Sequence, residues 1–131
     1  MLRSLLLTVW LTAPLTLRAQ DSLRAACDTA ITTLDMRRCV SRDLDEAERQ
    51  LQRYLREARR HAADRALLDS AETAWAQYRD VACRAAGSQY QGGTMMPLVV
   101  LGCRLALTRN RTHELWDHYL RVDEVLPEPR P

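Results

Sequence analysis

The sequence predicts an all-α protein: a small antiparallel helical bundle of about three main helices, stapled by two disulfides. Apolar residues recur at spacings of three and four along most of the chain, which is the period of an amphipathic helix. The alternation typical of strands does not occur in the sequence, and four cysteines are available for bridging. With 131 residues, 47% of them hydrophobic, the chain can form one domain with a real core.

The N-terminal segment is expected to be a cleaved signal peptide. Arg3 precedes a mostly apolar run at residues 5–17, and the small residue Ala19 follows this run. The run is shorter than the roughly twenty residues that cross a bilayer. We therefore expect residues 1–19 to be removed and the mature protein to be secreted or periplasmic, without a membrane span.

Two other interpretations of this segment are weaker. A first helix buried in the core is disfavoured by Pro14 within the run and by the polar residues 20–22. A lipid-anchored N-terminus at Cys27 is disfavoured because Asp21 and Arg24 separate this cysteine from the apolar run.

Three amphipathic helices are predicted between residues 20 and 122, which we take as the domain. The first begins near Thr33, the second begins near Asp64 and fades at Gly87, and the third follows Pro97. The Pro-rich residues 123–131 are expected to form a disordered tail. The apolar positions that define the helices are Leu44, Ala47, Leu51, Leu55, Ala58 and Ala62; Leu67, Leu68, Ala71, Ala74, Trp75, Tyr78 and Ala82; and Leu98, Leu101, Leu105, Thr108, Thr112, Leu115 and Tyr119.

The four cysteines, Cys27, Cys39, Cys83 and Cys103, all lie in the expected mature chain, where an oxidising compartment favours two disulfides. A zinc site is disfavoured because no two cysteines are separated by only two residues. If the first turn lies near residue 63, the helical rise places Cys39 and Cys83 at a similar level, which slightly favours Cys39–Cys83 with Cys27–Cys103. Pairing Cys27 with Cys39 and Cys83 with Cys103 closes shorter loops and stays open, because sequence alone does not fix connectivity.

Composition and motifs indicate a binding protein rather than an enzyme. Without Arg3 and Arg18, seventeen of the nineteen basic residues remain against seventeen acidic ones, and nucleic-acid binding needs a basic excess. His113 and His118 are five residues apart and diverge around a helix, unlike the zinc-protease pair four apart. The nucleophile elbow, the P-loop and the dinucleotide fingerprint do not occur. We therefore expect no catalytic residue, cofactor or metal.

The stretch from Ala74 to Arg84 combines aromatic, charged and cysteine residues. Trp75 and Tyr78 share a helical face and are expected to fill the core. Arg79 and Asp80 point about 100° apart, so they do not form a catalytic pair by spacing. We expect Arg79 to reach a carboxylate or helix-end carbonyls on a neighbouring helix, because its planar fork holds several acceptors at once. The stretch is thus predicted to be structural.

A pattern of motif positions extends over about residues 27–120, nearly the whole expected mature chain. Its members, besides the first two cysteines, are Ala74, Trp75, Tyr78, Arg79, Asp80, Cys83, Gly92, Gly93, Cys103, Thr108, Arg111 and Leu115. This pattern resembles the small exported family named for the lysozyme inhibitor LprI. The resemblance implies an exported, helical, disulfide-linked domain with lysozyme as the protein partner that it inhibits.

The Gly-rich segment 87–94 is the candidate partner-binding element. Glycines allow close approach to a concave cleft, Tyr90 supplies a rigid anchor, and polar side chains can bond the paired carboxylates of a glycosidase. The candidate residues are Gln89, Tyr90, Gln91, Gly92, Gly93 and Thr94. The balanced charge provides little electrostatic steering toward lysozymes, which are often cationic.

Two alternatives to inhibition through this segment stay open. The segment is also compatible with a plain helix connection that contains glycine. A cell-envelope scaffold or adaptor would instead bind another protein through exposed apolar residues such as Met95, Met96 or Trp116.

Overall fold

The computed structural model describes residues 27–130 and confirms the helical class. Three helices follow one another along the chain: α1 at Thr33–His61, α2 at Arg65–Ser88 and α3 at Met95–Tyr119. Residues 27–130 contain no strand. The expected signal peptide lies outside the described residues. Within them, every helix is too short or too polar to be a candidate for crossing a membrane.

Polar caps set where the first two helices begin. The Thr32 hydroxyl accepts a hydrogen bond from the backbone N–H of Asp35 at 3.1 Å, one residue before the predicted start of α1. The Asp64 carboxylate accepts from the N–H of Leu67 at 2.9 Å, at the predicted start of α2. Because these side chains satisfy N–H groups that the first turn leaves free, each helix starts at a defined residue.

Helix α3 is the centre of the bundle. It packs against both α1 and α2, whereas α1 and α2 touch each other little. The main buried cluster combines three residues of α1, one of α2 and one of α3, and it lies in the half of the bundle that contains the α1–α2 turn. Its members are Leu51, Leu55, Ala58, Leu68 and Leu115. The opposite half, where α2 is connected to α3, contains the Cys83–Cys103 bridge.

The disulfides follow the less favoured of the two pairings that the sequence left open. Cys27 is bonded to Cys39 with Cα atoms 5.6 Å apart, and Cys83 is bonded to Cys103 with Cα atoms 5.4 Å apart. The preference for Cys39–Cys83 was wrong because it assumed that α1 and α2 pack side by side. Instead, Cys83 faces α3, and the segment before α1 folds back to Cys39. Since its sulfur is in a disulfide, Cys27 has no free thiol for a lipid anchor.

The C-terminal segment packs against the bundle as far as Arg130 and is not disordered. The Tyr54 hydroxyl donates to the carbonyl of Pro127 at 2.6 Å, and the Trp116 indole N–H donates to the carbonyl of Leu126 at 3.1 Å. Pro129 is buried. Tyrosine and tryptophan side chains that are shielded from solvent need acceptors for their polar atoms, and a Pro-rich irregular segment offers free carbonyls. These contacts replace the disordered tail expected at residues 123–131 over the part that the structure describes.

The contact between Tyr54 and the tail gives a pH-dependent prediction. Burial raises the pKa of the Tyr54 hydroxyl above its ordinary value of 10.0. The folded protein then holds this proton more tightly than the unfolded chain, so the stabilisation is complete below about pH 10 and is lost as the pH rises through the raised pKa. We expect the free energy of unfolding, measured with urea, to fall more steeply above about pH 10 in the wild type than in Tyr54→Phe. Equal slopes of the unfolding free energy against pH in the two proteins would contradict a raised pKa of Tyr54.

Candidate partner-binding site

Arg79 joins the three helices instead of forming an active site. Its Nη1 donates to Oε1 of Glu48 on α1 at 3.2 Å and to the hydroxyl of Thr108 on α3 at 2.9 Å. The guanidinium carbon lies 5.0 Å from the centre of the Trp75 ring, a cation–π distance. Trp75 itself packs against the main buried cluster. These contacts give the Arg79 side chain a structural role.

Tyr78 does not lie in the core, contrary to the sequence analysis. Its side chain is 60% exposed. The buried positions of α2 are Leu68, Glu72, Cys83 and Gly87, a face that is rotated away from Tyr78. The neighbouring Asp80 pairs across the α2–α3 contact with Arg104 at 3.1 Å. The motif tyrosine is therefore available to another molecule.

A second ion pair inside the bundle was missed by the sequence analysis. Nε of Arg111 donates to Oε1 of Glu72 at 2.8 Å, and its Nη1 donates to Oε2 of Glu114 at 2.8 Å. Burial alone would lower the pKa of the Arg111 guanidinium, but the hydrogen bonds that it donates to Glu114 and Glu72 outweigh burial and raise the pKa. Glu72 follows Leu68 by four residues and precedes Trp75 by three, so its place on the inner face was readable from the sequence.

The connection between α2 and α3 forms an exposed tip, which we define as residues 89–94. All six residues are exposed, and Tyr90 is 48% exposed. The N–H of Tyr90 donates to the carbonyl of Gly87 at 2.9 Å, and the N–H of Gly93 donates to the carbonyl of Tyr90 at 3.0 Å. Gly92 has φ +79°, a conformation that disfavours other residues. The tip is therefore a succession of defined turns.

The base of the tip is held on both sides. Gly87 is buried, and a Cβ atom at this position would overlap Cγ2 of Val100, so α2 and α3 can approach this closely only at glycine. One turn further into the bundle, the Cys83–Cys103 disulfide joins the same two helices. The structure thus presents Tyr90 on a fixed support.

A groove of about 740 Å³ opens between α1 and α2, where these helices diverge. This groove was not predicted from the sequence. Its apolar lining comes from Leu51, Leu55 and Trp75. Glu48, Glu72 and Arg79 also line it and are paired within the protein. Asp45, Arg49 and Arg56 add further charged side chains to the lining. Across residues 27–130, no three His, Cys, Asp or Glu side chains cluster closely enough to hold a metal ion.

The residues proposed for a scaffold surface are only partly exposed to solvent. Met95 is 40% exposed, whereas Met96 and Trp116 are half-buried, and the Trp116 indole is bonded to the tail. More strongly exposed apolar side chains lie elsewhere: Leu67, Tyr78 and Val81 on α2, and Ile31 and Val122 outside the helices.

Comparison with known proteins identifies the family. The family model described as "Lysozyme inhibitor LprI" matches residues 24–115, which include both disulfides, the tip and most of the three helices. The chain belongs to the LprI family. An uncharacterized protein of Rhizobium meliloti (strain 1021) is 35% identical over 104 residues, covering 68% of this chain and 75% of that relative. No solved structure matches the chain. The docked tail lies beyond the matched LprI region.

Proposed function

We propose that this protein is an exported lysozyme inhibitor that inserts the tip, residues 89–94, into the cleft of the enzyme. The description of the LprI family model supports the partner. The observation that carries the mechanism is the tip itself: a turn of six exposed residues whose base is held by Gly87 and by the Cys83–Cys103 disulfide. A preformed loop loses little conformational entropy on binding, so its contacts contribute more to affinity.

The side chains of the tip suit a glycosidase cleft. Such a cleft contains two carboxyl groups that flank the scissile bond. The Gln89 and Gln91 amides and the Thr94 hydroxyl can donate hydrogen bonds to these groups without bringing a buried charge. Tyr90 provides a large, rigid surface for the apolar wall of a cleft. Gly92 and Gly93 let the backbone approach closely.

We also propose that binding takes place outside the cytoplasm. Two disulfides that join all four cysteines are typical of an oxidising compartment. The basic and apolar pattern of residues 1–19 supports secretion or periplasmic location. A lysozyme that degrades the bacterial cell wall also acts outside the cytoplasm, where this protein could bind it.

The test is lysozyme-driven lysis of bacterial cells in the presence of purified, oxidised protein. We expect wild-type protein to stop lysis and Tyr90→Ala to raise the inhibition constant about thirtyfold, the effect of losing one anchor residue worth roughly 2 kcal/mol. Tyr78→Ala is the matched control, because Tyr78 is also an exposed tyrosine but lies on the body of α2. Its inhibition constant is expected to stay within about twofold of wild type.

Two results would count against this proposal at different levels. Failure of the wild-type protein to slow any lysozyme would remove the inhibitory function. Inhibition by wild type that survives Tyr90→Ala and is lost with Tyr78→Ala would keep the function but move the binding surface from the tip to α2.

A further inference from the structure

Helix α2 carries a second apolar face that nothing in the described chain covers. Leu67 is 67% exposed, Tyr78 is 60% exposed and Val81 is 59% exposed. Three exposed alanines complete the row. The face, which we call the outer stripe, consists of Leu67, Ala71, Ala74, Tyr78, Val81 and Ala85.

The outer stripe has the spacing of a coiled-coil seam. Its members follow one another at steps of four, three, four, three and four residues, which is a continuous heptad pattern. The buried face of α2, centred on Glu72 and Cys83, is separate from it. The stripe is about 27 Å long at 1.5 Å per residue. An exposed, regular seam of this kind favours another helix as its occupant.

We propose that the occupant is α2 of a second copy of this chain, packed antiparallel about a two-fold axis near residue 76. In this arrangement each large side chain meets an alanine of the partner. Leu67 faces the partner's Ala85, Val81 faces the partner's Ala71, and Tyr78 faces the partner's Ala74. A two-fold interface must be self-complementary. The order of residues along the outer stripe, which is large, small, small, large, large, small, provides this property when the two helices run antiparallel.

A parallel pair of the same helices would fit less well. It would place Tyr78 against the partner's Tyr78 and each alanine against the same alanine, so some layers would be overfilled and others would be left with cavities. The polar flank of the outer stripe is Ser70, Gln77 and Arg84. In the antiparallel pair the two Arg84 residues are about 24 Å apart along the helices, beyond the roughly 8 Å screening length at physiological salt.

The size of the stripe predicts a weak dimer. Two such seams bury roughly 600 to 800 Å² in total, less than the roughly 1,200 to 2,000 Å² of stable interfaces. We expect a dissociation constant in the range of about ten to a few hundred micromolar. The dimer would therefore form where the protein is concentrated.

Sedimentation velocity over protein concentrations from about 1 µM to 1 mM tests the dimer. The wild type is expected to shift from monomer to dimer across this range, and Ala74→Glu is expected to weaken association at least tenfold by placing two carboxylates in the seam. Ala66→Glu is the matched control, because it makes the same change at an exposed position of α2 outside the stripe. It is expected to associate like wild type. Circular dichroism checks that both variants fold.

The antiparallel orientation has its own test. Ala74→Glu and Tyr78→Arg are each expected to be monomeric when alone. Mixed together, they are expected to form a heterodimer, because the antiparallel pair places the new glutamate of one chain against the new arginine of the other. A parallel pair would not bring these two positions together.

The outcomes separate this inference from lysozyme inhibition. A wild-type protein that stays monomeric up to about 1 mM, or a dimer that Ala74→Glu leaves intact, would overturn it. If the wild type dimerises but the mixture of Ala74→Glu and Tyr78→Arg forms no heterodimer, the antiparallel arrangement would be overturned. In the lysis assay Ala74→Glu should inhibit like wild type, and Tyr90→Ala should still dimerise, because the tip and the outer stripe are different surfaces.

Discussion

Replacing both Cys83 and Cys103 with alanine is expected to lower the free energy of unfolding by about 3 kcal/mol. The disulfide closes a loop with a sequence separation of 20 residues, and the chain-entropy relation gives this magnitude for a loop of that length. The bridge also holds the helices that carry the tip. We therefore expect thermal unfolding to move to a lower temperature and lysozyme inhibition to weaken even where the variant is fully folded.

The other disulfide provides the matched control for this prediction. Replacing Cys27 and Cys39 opens a loop with a sequence separation of 12 residues and should cost nearly as much stability, about 3 kcal/mol. This bridge lies at the start of α1 and does not join the two helices that carry the tip. Urea unfolding and the lysis assay should thus show similar losses of stability but a larger loss of inhibition for the Cys83 and Cys103 variant. Equal losses of inhibition would mean that the tip does not depend on its disulfide.

Arg111→Ala is expected to destabilise the bundle by about 3 kcal/mol. The side chains of Arg111 and Glu72 are 16% and 10% exposed, so removal of the arginine leaves a carboxylate buried without its partner. The double variant Glu72→Met with Arg111→Met should recover most of this loss, since a buried ion pair can be replaced by apolar residues at little cost. Urea unfolding of the single variants and of the double variant measures the coupling free energy between Glu72 and Arg111. A loss below about 1 kcal/mol in Arg111→Ala would contradict a structural role for the pair.

The fold class was predictable because helix formation depends on local patterns. The apolar spacing along α1 and the cap at Asp64 indicated helices whose limits the structure places within a few residues. The resemblance to the LprI family was likewise visible in the sequence, through motif residues such as Trp75 and Cys83, and the family model matches residues 24–115. Local propensity, periodicity and motif spacing depend on neighbours along the chain, so they can be identified without knowledge of the packing.

The tip was also identifiable from its sequence, although its support was not. Glycines and polar residues in the segment 87–94 indicated a break between helices. That Gly87 lies against Val100, and that Cys83 faces Cys103 below it, depends on how closely α2 and α3 approach. Such distances arise only when two elements pack.

The sequence by itself determined the three helices, their amphipathic character and the presence of enough cysteines for two bridges. Only the tertiary structure decided which cysteines pair, that Tyr78 points to solvent and that residues 123–130 dock on Tyr54 and Trp116. The physical reason is common to all three. Helical periodicity defines a face to within about one residue, or 100°, but the helix that covers this face is chosen by packing. Here α3, rather than α1, packs most extensively against α2, and that choice placed one apolar row of α2 inside and left another outside.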